Sequence, residues 1–399
     1  MGEKILKLPY YLKENQLELE DICACGSFSI DSDCLYYNDC SNLKYLYPPY
    51  LKSQTLDEPF DLNQDYDKIV PKMSEGAPDL SNIMAWLREN PEKAQVDFVT
   101  FRGTYSGIMI GSLVENKIDW RLGACRINNT IYLCQFDTEL KKKNIQEQKA
   151  DPQLVRSSQW GYKFEQFMLT EDPSVKPRCQ GELNENKQFC VMFQAKLKHF
   201  KLLYGAEMDG VISETKIEPD KLPGELKNVE FVELKTGKPY GLKMLKWWAQ
   251  SYFVGIKNII CGEKDGNEVK SLKQIYVDNI LRTINFKGRK ITESNCCNLV
   301  ADILQFIQNR VFGSDEGTYW LFEWHPQDKL KIRASMTQNP EYKFLDEDFV
   351  SFMKSQPSLQ KDMDSQPRKY MKTSHDSEHR GRGRHQEGER WHRRNRQDY

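Results

Sequence analysis

Two short segments constrain this chain more than any other part of its sequence: Ala206–Ser213 (AEMDGVIS) and Val229–Thr236 (VEFVELKT). Their length and their alternation of apolar and polar residues predict strands. Residues two apart on a strand share a face. Glu207 and Asp209 are therefore expected to point one way, and so are Glu233 and Lys235, while Val232 and Leu234 turn towards a core. Two neighbouring strands would then bring three carboxylates and one ammonium to one pocket. Such crowding is costly unless a cation neutralises it. Hard oxygen ligands suit Mg²⁺ or Mn²⁺, and a pair of such ions activates water and clamps a phosphodiester for in-line displacement. The neighbouring lysine would orient that water or offset charge on the phosphate. A lone Glu-x-Lys triplet is more simply a solvent-facing cross-strand pair; the acidic pair on the preceding segment is what favours a site.

Composition narrows the chemistry by exclusion. The chain has 399 residues, 39% apolar and 12% aromatic, enough for a well-buried core. Of six histidines, four (His375, His379, His385, His392) lie in a polar tail, leaving His199 and His325 in the body as packing or surface residues. A Ser-His-Asp hydrolase or a His-rich zinc enzyme has little to work with, so enzymatic chemistry would fall to carboxylates. Eleven cysteines, an odd number without a secretory signal, argue against a disulfide framework. Cys23, Cys25, Cys34 and Cys40 have a spacing that fits no common zinc knuckle, so loop or buried thiols are the simpler reading. No apolar run of about 18 residues predicts a membrane span; Gly107–Val114 is far too short. The charged MGEKILKLPYYLKEN start lacks an apolar signal core, and Leu6 replaces the Ser/Thr expected of a myristoylated terminus. No Walker A or G-x-G-x-x-G pattern indicates a nucleotide energy source.

Along the chain, residues 1–75 read as loop-rich and wrapping the core. Asp79 is expected to cap a helix with Leu80, Ile83, Met84 and Leu87 inward, ending before Pro91. Val96–Arg102 reads as a strand, and Ala124–Ile127 with Thr130–Phe136 as a hairpin around Asn128-Asn129. Residues 153–170 read as one helix, and Phe189–Leu197 as a half-buried strand with a helix as rival. A helix over 241–255 turns Leu242, Leu245, Ala249 and Phe253 inward; a later one is capped by Ser294. Thr318–Trp324 and Leu330–Ser335 close the fold. The expected architecture is a mixed α/β body over 1–355, a β-sheet core flanked by helices, followed by a disordered basic Arg/Gly-rich tail over 356–399. Net charge is −1, but Pro367–Tyr399 carries ten Lys/Arg against five Asp/Glu. Its Arg380-Gly-Arg382-Gly-Arg384 run reads as an RGG-type nucleic-acid tracker, a nuclear-import signal or a solvated tail.

An acidic residue on one strand followed by Glu-x-Lys on the next is the spacing of the PD-(D/E)xK nuclease core. On the 241–255 helix, Lys243, Lys246, Trp247, Gln250 and Val254 share a face by three- and four-residue spacing. That face is either a phosphate-facing wall or a solvated one. Taken in order, Gly161-Tyr-Lys-Phe-Glu165, Glu207-Met-Asp209, Glu233-Leu-Lys235-Thr236 and Leu245-Lys-Trp-Trp-Ala-Gln250 resemble the decapping exoribonuclease family of RNA 5′-end quality-control nucleases, which also remove NAD caps. Phe98-Val-Thr-Phe-Arg102-Gly103 is similar to that family's V-x-W-R-G motif, with Phe101 in place of the usual Trp. The resemblance runs from about Ser27 to Leu345.

It implies a site for two divalent cations made by Glu165, Glu207, Asp209, Glu233 and the Leu234 carbonyl. It also implies that Glu207, Lys235 and Gln250 meet the scissile phosphate or attacking water, and that Phe101, Arg102, Gly103 and Cys190 contact RNA. The family's early substrate-contacting arginine is Cys34 here. The resulting expectation is a monomeric, metal-dependent hydrolase acting on capped, NAD-capped or triphosphate RNA 5′ ends. It would remove the cap, NAD or a dinucleotide and then degrade 5′ to 3′. A nuclear location is expected, with the cytoplasm as a second one, a larger 5′–3′ exoribonuclease as a candidate partner and no membrane contact. A non-enzymatic RNA-end binder is disfavoured because every carboxylate is present. A DNA nuclease on the same core is the third reading.

Overall fold

The computed structural model describes residues 4–7, 16–53, 55–73, 79–113, 118–218, 221–286, 289–311, 318–328 and 331–356. All of them fall within one unit, Met1–Asp364. Apart from Gln356, the tail expected over 356–399 lies outside the described residues.

Alternating apolar residues build the centre of the larger sheet. Gln188–Leu197 pairs antiparallel with Phe200–Glu207, which pairs in parallel with Phe98–Phe101. Among the described residues this sheet has ten strands and a second sheet has seven. The strand Gln188–Leu197 is buried on both faces rather than one. Val191, Phe193 and Leu197 join one apolar cluster while Cys190 and Met192 join another. The helices Ser81–Glu89 and Glu347–Ser355 cover the Cys190 face, burying Trp86, Leu87, Phe349 and Met353. Arg102–Leu113, Gly241–Tyr252 and Glu293–Val311 pack between the opposite face and the smaller sheet. Trp160–Met168 covers the smaller sheet's far side, where Phe164 and Phe167 meet Val232, Leu234 and Ile260.

Several expectations are corrected. The described residues of the 1–75 stretch are not mainly loop: Leu19–Ile30 is a 12-residue strand paired with Gln188–Leu197. The 153–170 helix is two helices, Pro152–Ser158 and Trp160–Met168, followed by a short strand. The late helix is capped by Thr292, whose hydroxyl accepts the Asn295 N–H at 3.2 Å, while Ser294 lies inside it and accepts the Leu17 N–H. Asp79 is not the cap of the Ser81–Glu89 helix: Leu80 takes that position without a side-chain bond, and the Asp79 carboxylate one residue earlier accepts the Ser81 N–H at 3.1 Å. The 128–129 hairpin is as expected, with Asn128 at φ 53°.

The largest correction concerns the acidic segment. Ala206–Ser213 is not one strand. Phe200–Glu207 ends in the ten-stranded sheet, and Gly210–Ile212 begins anew in the seven-stranded one. The chain changes sheets at Met208-Asp209, and that crossing point is where the acids gather.

Candidate active site

Gly210 pairs with Val232, so the strand Gly210–Ile212 ends opposite the middle of Glu230–Thr236. Beyond that point the edge from Glu233 to Thr236 has no strand partner on this side. Asp209 substitutes for one: its Oδ2 accepts the Leu234 N–H at 2.6 Å. In an extended strand a residue's N–H and C=O point the same way, so the Leu234 carbonyl faces the same open edge. Glu233 and Lys235 share the expected face and form an ion pair, with Glu233 only 2% exposed. The other Glu233 oxygen lies 3.5 Å from an Arg102 nitrogen. Arg102 is not at a strand end; the strand stops at Phe101 and Arg102 opens the helix Arg102–Leu113. From there its guanidinium also donates to the Gln250 carbonyl at 3.4 Å, which ties the helix Gly241–Tyr252 to the site.

Glu207 closes the other wall. It stands directly across the strand pair from Cys190, which is 4% exposed. Its own carboxylate is open to water although protein surrounds it, as in a deep cleft. Glu165, half-buried on the helix Trp160–Met168, reaches towards Asp209 and Glu207.

The electrostatics follow from counting charges. Of the cations near Glu165, Glu207, Asp209 and Glu233, only Lys235 and Arg102 form an ion pair with them among the described residues, while Lys72 and Lys44 act on Glu207 and Glu165 without one. Burial, then Asp209 and Glu207, hold the Glu165 carboxyl well above its ordinary range. Burial and Glu233 push Asp209 up to about 7. Glu207 is also raised, by burial, with Lys72 and Arg102 pulling down; its contact with water tempers that push. Glu233 goes the other way: burial opposes its charge, but Lys235 and Arg102 together hold its carboxyl below the usual range.

These donors suit a divalent cation. They are hard oxygens, and their charge exceeds that of their partners. Among the described residues no three His, Cys, Asp or Glu side chains come close enough to hold an ion as they stand. The reason is visible in their present partners, since Asp209 is turned to the Leu234 N–H and Glu233 to Lys235.

The remaining expected residues are placed as follows. The Phe101 ring is half-buried over Gly205, where a Cβ would come within 3.1 Å of it. Gly103 is exposed in the first helical turn, and among the described residues nothing beyond its chain neighbours and its own helix backbone comes within 4 Å of where its Cβ would be. The Gln250 face is not uniformly polar: Lys243 and Lys246 are exposed, but Trp247 and Val254 are buried. Cys34 is exposed at φ 63°, with its thiol donating to Asn186 Oδ1 at 3.5 Å. Cys40 pairs instead with the Ser27 hydroxyl at 3.1 Å. A cavity of about 760 Å³ lies elsewhere, lined by Cys25, Asp39, Tyr45, Trp86 and Lys216 among others, and takes none of these carboxylates.

Sequence reasoning missed Tyr162, Lys72 and Lys44. The Tyr162 phenol is surrounded by Glu207, Glu165, Glu185 and Asp209; Lys72 acts on Glu207 and Lys44 on Glu165. Tyr162 lies within a quoted motif, but the two lysines carry no local signal among 57 Lys and Arg.

The sequence model described as "RAI1 like PD-(D/E)XK nuclease" matches residues 23–350. The chain belongs to this family. It is 29% identical over 358 residues to the human decapping and exoribonuclease protein, spanning 84% of each chain. It is 28% identical over 323 residues to the decapping nuclease RAI1 of Aspergillus fumigatus, covering 73% of this chain and 82% of the relative. Among solved structures, Candida albicans Rai1 in complex with pU5-Mn2+ superposes with a TM-score of 0.74 at 21% identity, covering 88% of this chain and 99% of the other. Scheffersomyces stipitis Rai1 with (3′-NADP)+ and calcium ion gives 0.69 at 19% identity, covering 89% and 99%. The RAI1-like nuclease fold is thus the mixed α/β, PD-(D/E)xK-type architecture expected from the sequence.

Proposed function

We propose that this chain is a divalent-cation-dependent RNA 5′-end nuclease. It hydrolyses a phosphodiester to release an incomplete cap, an NAD cap, a triphosphate or a dinucleotide, and then proceeds 5′ to 3′. One observation carries the reading: four carboxylates and Lys235 converge where a strand edge is left open at Leu234. Relatives that are decapping nucleases, and the RNA and dinucleotide bound in similar structures, support the substrate class.

Glu165, Glu207, Asp209, Glu233 and the Leu234 carbonyl would hold the metal, Mg²⁺ or Mn²⁺. That metal supplies activation of water and neutralisation of the phosphodiester. Lys235, oriented by its pairing with Glu233, presents an ammonium to a phosphate oxygen or to the attacking water. Gln250, half-exposed on its helix, supplies a neutral amide on the same side. Arg102 is always charged and offers a planar fork suited to phosphate. Gly103 beside it has no steric reason within the protein to lack a side chain, which fits close approach of RNA backbone there. The basic runs of the tail support RNA tracking and nuclear residence as parts of the same reading, and the family resemblance supports a partner exoribonuclease.

The deciding experiment incubates purified protein and Mn²⁺ with RNAs that differ only at the 5′ end, beside DNA of equal sequence. Release of a cap, NAD or dinucleotide from RNA is expected. Cleavage of DNA alone would point to a DNA nuclease, and binding without any product to an RNA-end reader.

Two further outcomes are expected. A metal must displace protons from the raised carboxyls of Asp209 and Glu165. Mn²⁺ affinity, read by calorimetry, should therefore rise by at least about tenfold per pH unit below about pH 7, where Asp209 holds its proton. Affinity independent of pH would mean those groups do not ligate. Cys34 offers no phosphate-binding fork, so Cys34→Arg should reorder activity among triphosphate, NAD-capped and hydroxyl RNAs more than it changes the best rate. Equal scaling of all three would show that this loop does not read the 5′ end.

A further inference from the structure

Beside the acids a short strap crosses from residue 69 to residue 73, and its attachments are unusually specific. Ile69 and Val70 pair in parallel with Leu183 and Asn184. The Val70 carbonyl accepts the Glu185 N–H at 3.0 Å, and Glu185 Oε2 in return accepts the Lys72 N–H at 3.2 Å. The Met73 N–H donates to Asn186 Oδ1 at 2.7 Å, the same oxygen that accepts the Cys34 thiol. Glu185 and Asn186 are buried, at 8% and 2% exposure, and Glu185 Oε1 has no partner among the described residues. Buried side chains spent on fixing the backbone of an otherwise irregular segment imply that the position of that segment matters.

What the strap holds in place is Lys72. Its side chain is exposed, and among the described residues no hydrogen bond or ion pair engages its ammonium. Its charge acts on Glu207 ahead of that of Arg102, and also on Cys190 across the strand from Glu207. Glu185 and Asn186, which hold the strap, lead into the strand on which Cys190 faces Glu207, so Lys72 stands at the Glu207 wall, whereas Lys235 lies on a strand of the other sheet. A free ammonium beside an acid-rich cleft that must admit a polyanion is suited to a second phosphate.

We propose that Lys72 grips the phosphate adjacent to the one being cut, and that Glu185 and Asn186 are positioning residues that set its place through the strap. The inference rests on the RNA-nuclease reading and adds a substrate contact to it. Lys72 is a compact point charge, so its contact with phosphate is strong but not bidentate.

The test uses the full chain with Mn²⁺ and 5′-triphosphate RNA. Cleavage by the unaltered protein tests the nuclease reading, and the variants test this inference separately. Lys72→Met should raise KM about tenfold while kcat moves less than about threefold, as loss of one charge-assisted bond to bound substrate does. Lys72→Arg should restore most of the affinity. Asn186→Ala keeps the charge but loosens the strap, and should raise KM in the same direction, with circular dichroism confirming the fold. Neutral methylphosphonates are then placed singly at each of the first four linkages. At one linkage next to the scissile bond, the methylphosphonate and Lys72→Met should be non-additive, because either change removes the same contact. Additive losses at every linkage, or an unchanged KM in an otherwise active Lys72→Met protein, would overturn the assignment.

Discussion

Glu207→Gln combined with Asp209→Asn should reduce turnover on every RNA 5′ end by at least about a thousandfold, equivalent to about 4 kcal/mol in the barrier. All the proposed activities share one set of carboxylates, so none should survive selectively. The replacements preserve shape, and the amide at 209 retains an oxygen for the Leu234 N–H. The fold should not merely persist but gain stability in metal-free buffer. Asp209 is raised from 3.8 to about 7, so the folded protein holds a proton there that the unfolded chain has released. Stability of the unaltered protein therefore falls as pH rises from about 4 to 7. The neutral variant lacks that penalty. The two should coincide near pH 4, with the variant ahead by roughly 2–4 kcal/mol at pH 8. Urea melts at pH 4, 6 and 8 without metal would measure this. Wild-type turnover by the variant would remove the basis of the proposed chemistry.

How far the site could be read from sequence depends on what fixed each residue. Glu233 and Lys235 were legible because a strand's period of two places them on one face and they do pair. Glu207 and Asp209 were correctly placed together by an argument whose geometry was wrong. They do not share a strand; the chain leaves one sheet for the other between them. Glu165 on its helix has no local pattern to mark it, so only the family resemblance singled it out. Lys72 was not legible at all, because its place is fixed by Glu185, 113 residues later.

The fold divides along the same line. Short runs of apolar, β-branched and aromatic residues, such as Thr130–Phe136 and Glu230–Thr236, were found with accurate bounds. Leu19–Ile30 was not, since Asp21 sits at φ 53° and the pairing with Gln188–Leu197 shifts register twice, which breaks the period of two. Arg102–Leu113 was read only as the end of a strand and a short apolar stretch. Its three glycines lower helix propensity. Two of them have a packing reason: a Cβ at Gly111 would come within 2.7 Å of the Trp120 ring, and one at Gly107 within 3.2 Å of Gln135. Burial of Tyr105, Ile108 and Met109 then outweighs the propensity cost.

Lys235→Met should both silence the enzyme and destabilise it, by about 3 kcal/mol. The Glu233 side chain is 3% exposed and that of Lys235 22%, so removing the ammonium leaves a charge with little water to solvate it. Arg102, 3.5 Å from the other oxygen, compensates only in part. The pH dependence has a definite sign. In the unaltered protein Glu233 is held below its ordinary range, so its pairing stabilises above the unfolded carboxyl value of about 4.3 and is lost on acidification. Without Lys235, burial dominates and the carboxyl rises, so the variant loses stability as pH increases. The gap between the two should accordingly be smallest near pH 4 and widen towards pH 8. Adding Glu233→Gln removes the stranded charge and should recover most of the lost stability, since replacing both members of a buried pair by similar-sized neutral groups is often nearly neutral. Activity should not return, because an oxygen ligand and the phosphate-facing ammonium are then both gone. Recovery of turnover along with stability in the double variant would mean that the pair only props up the fold.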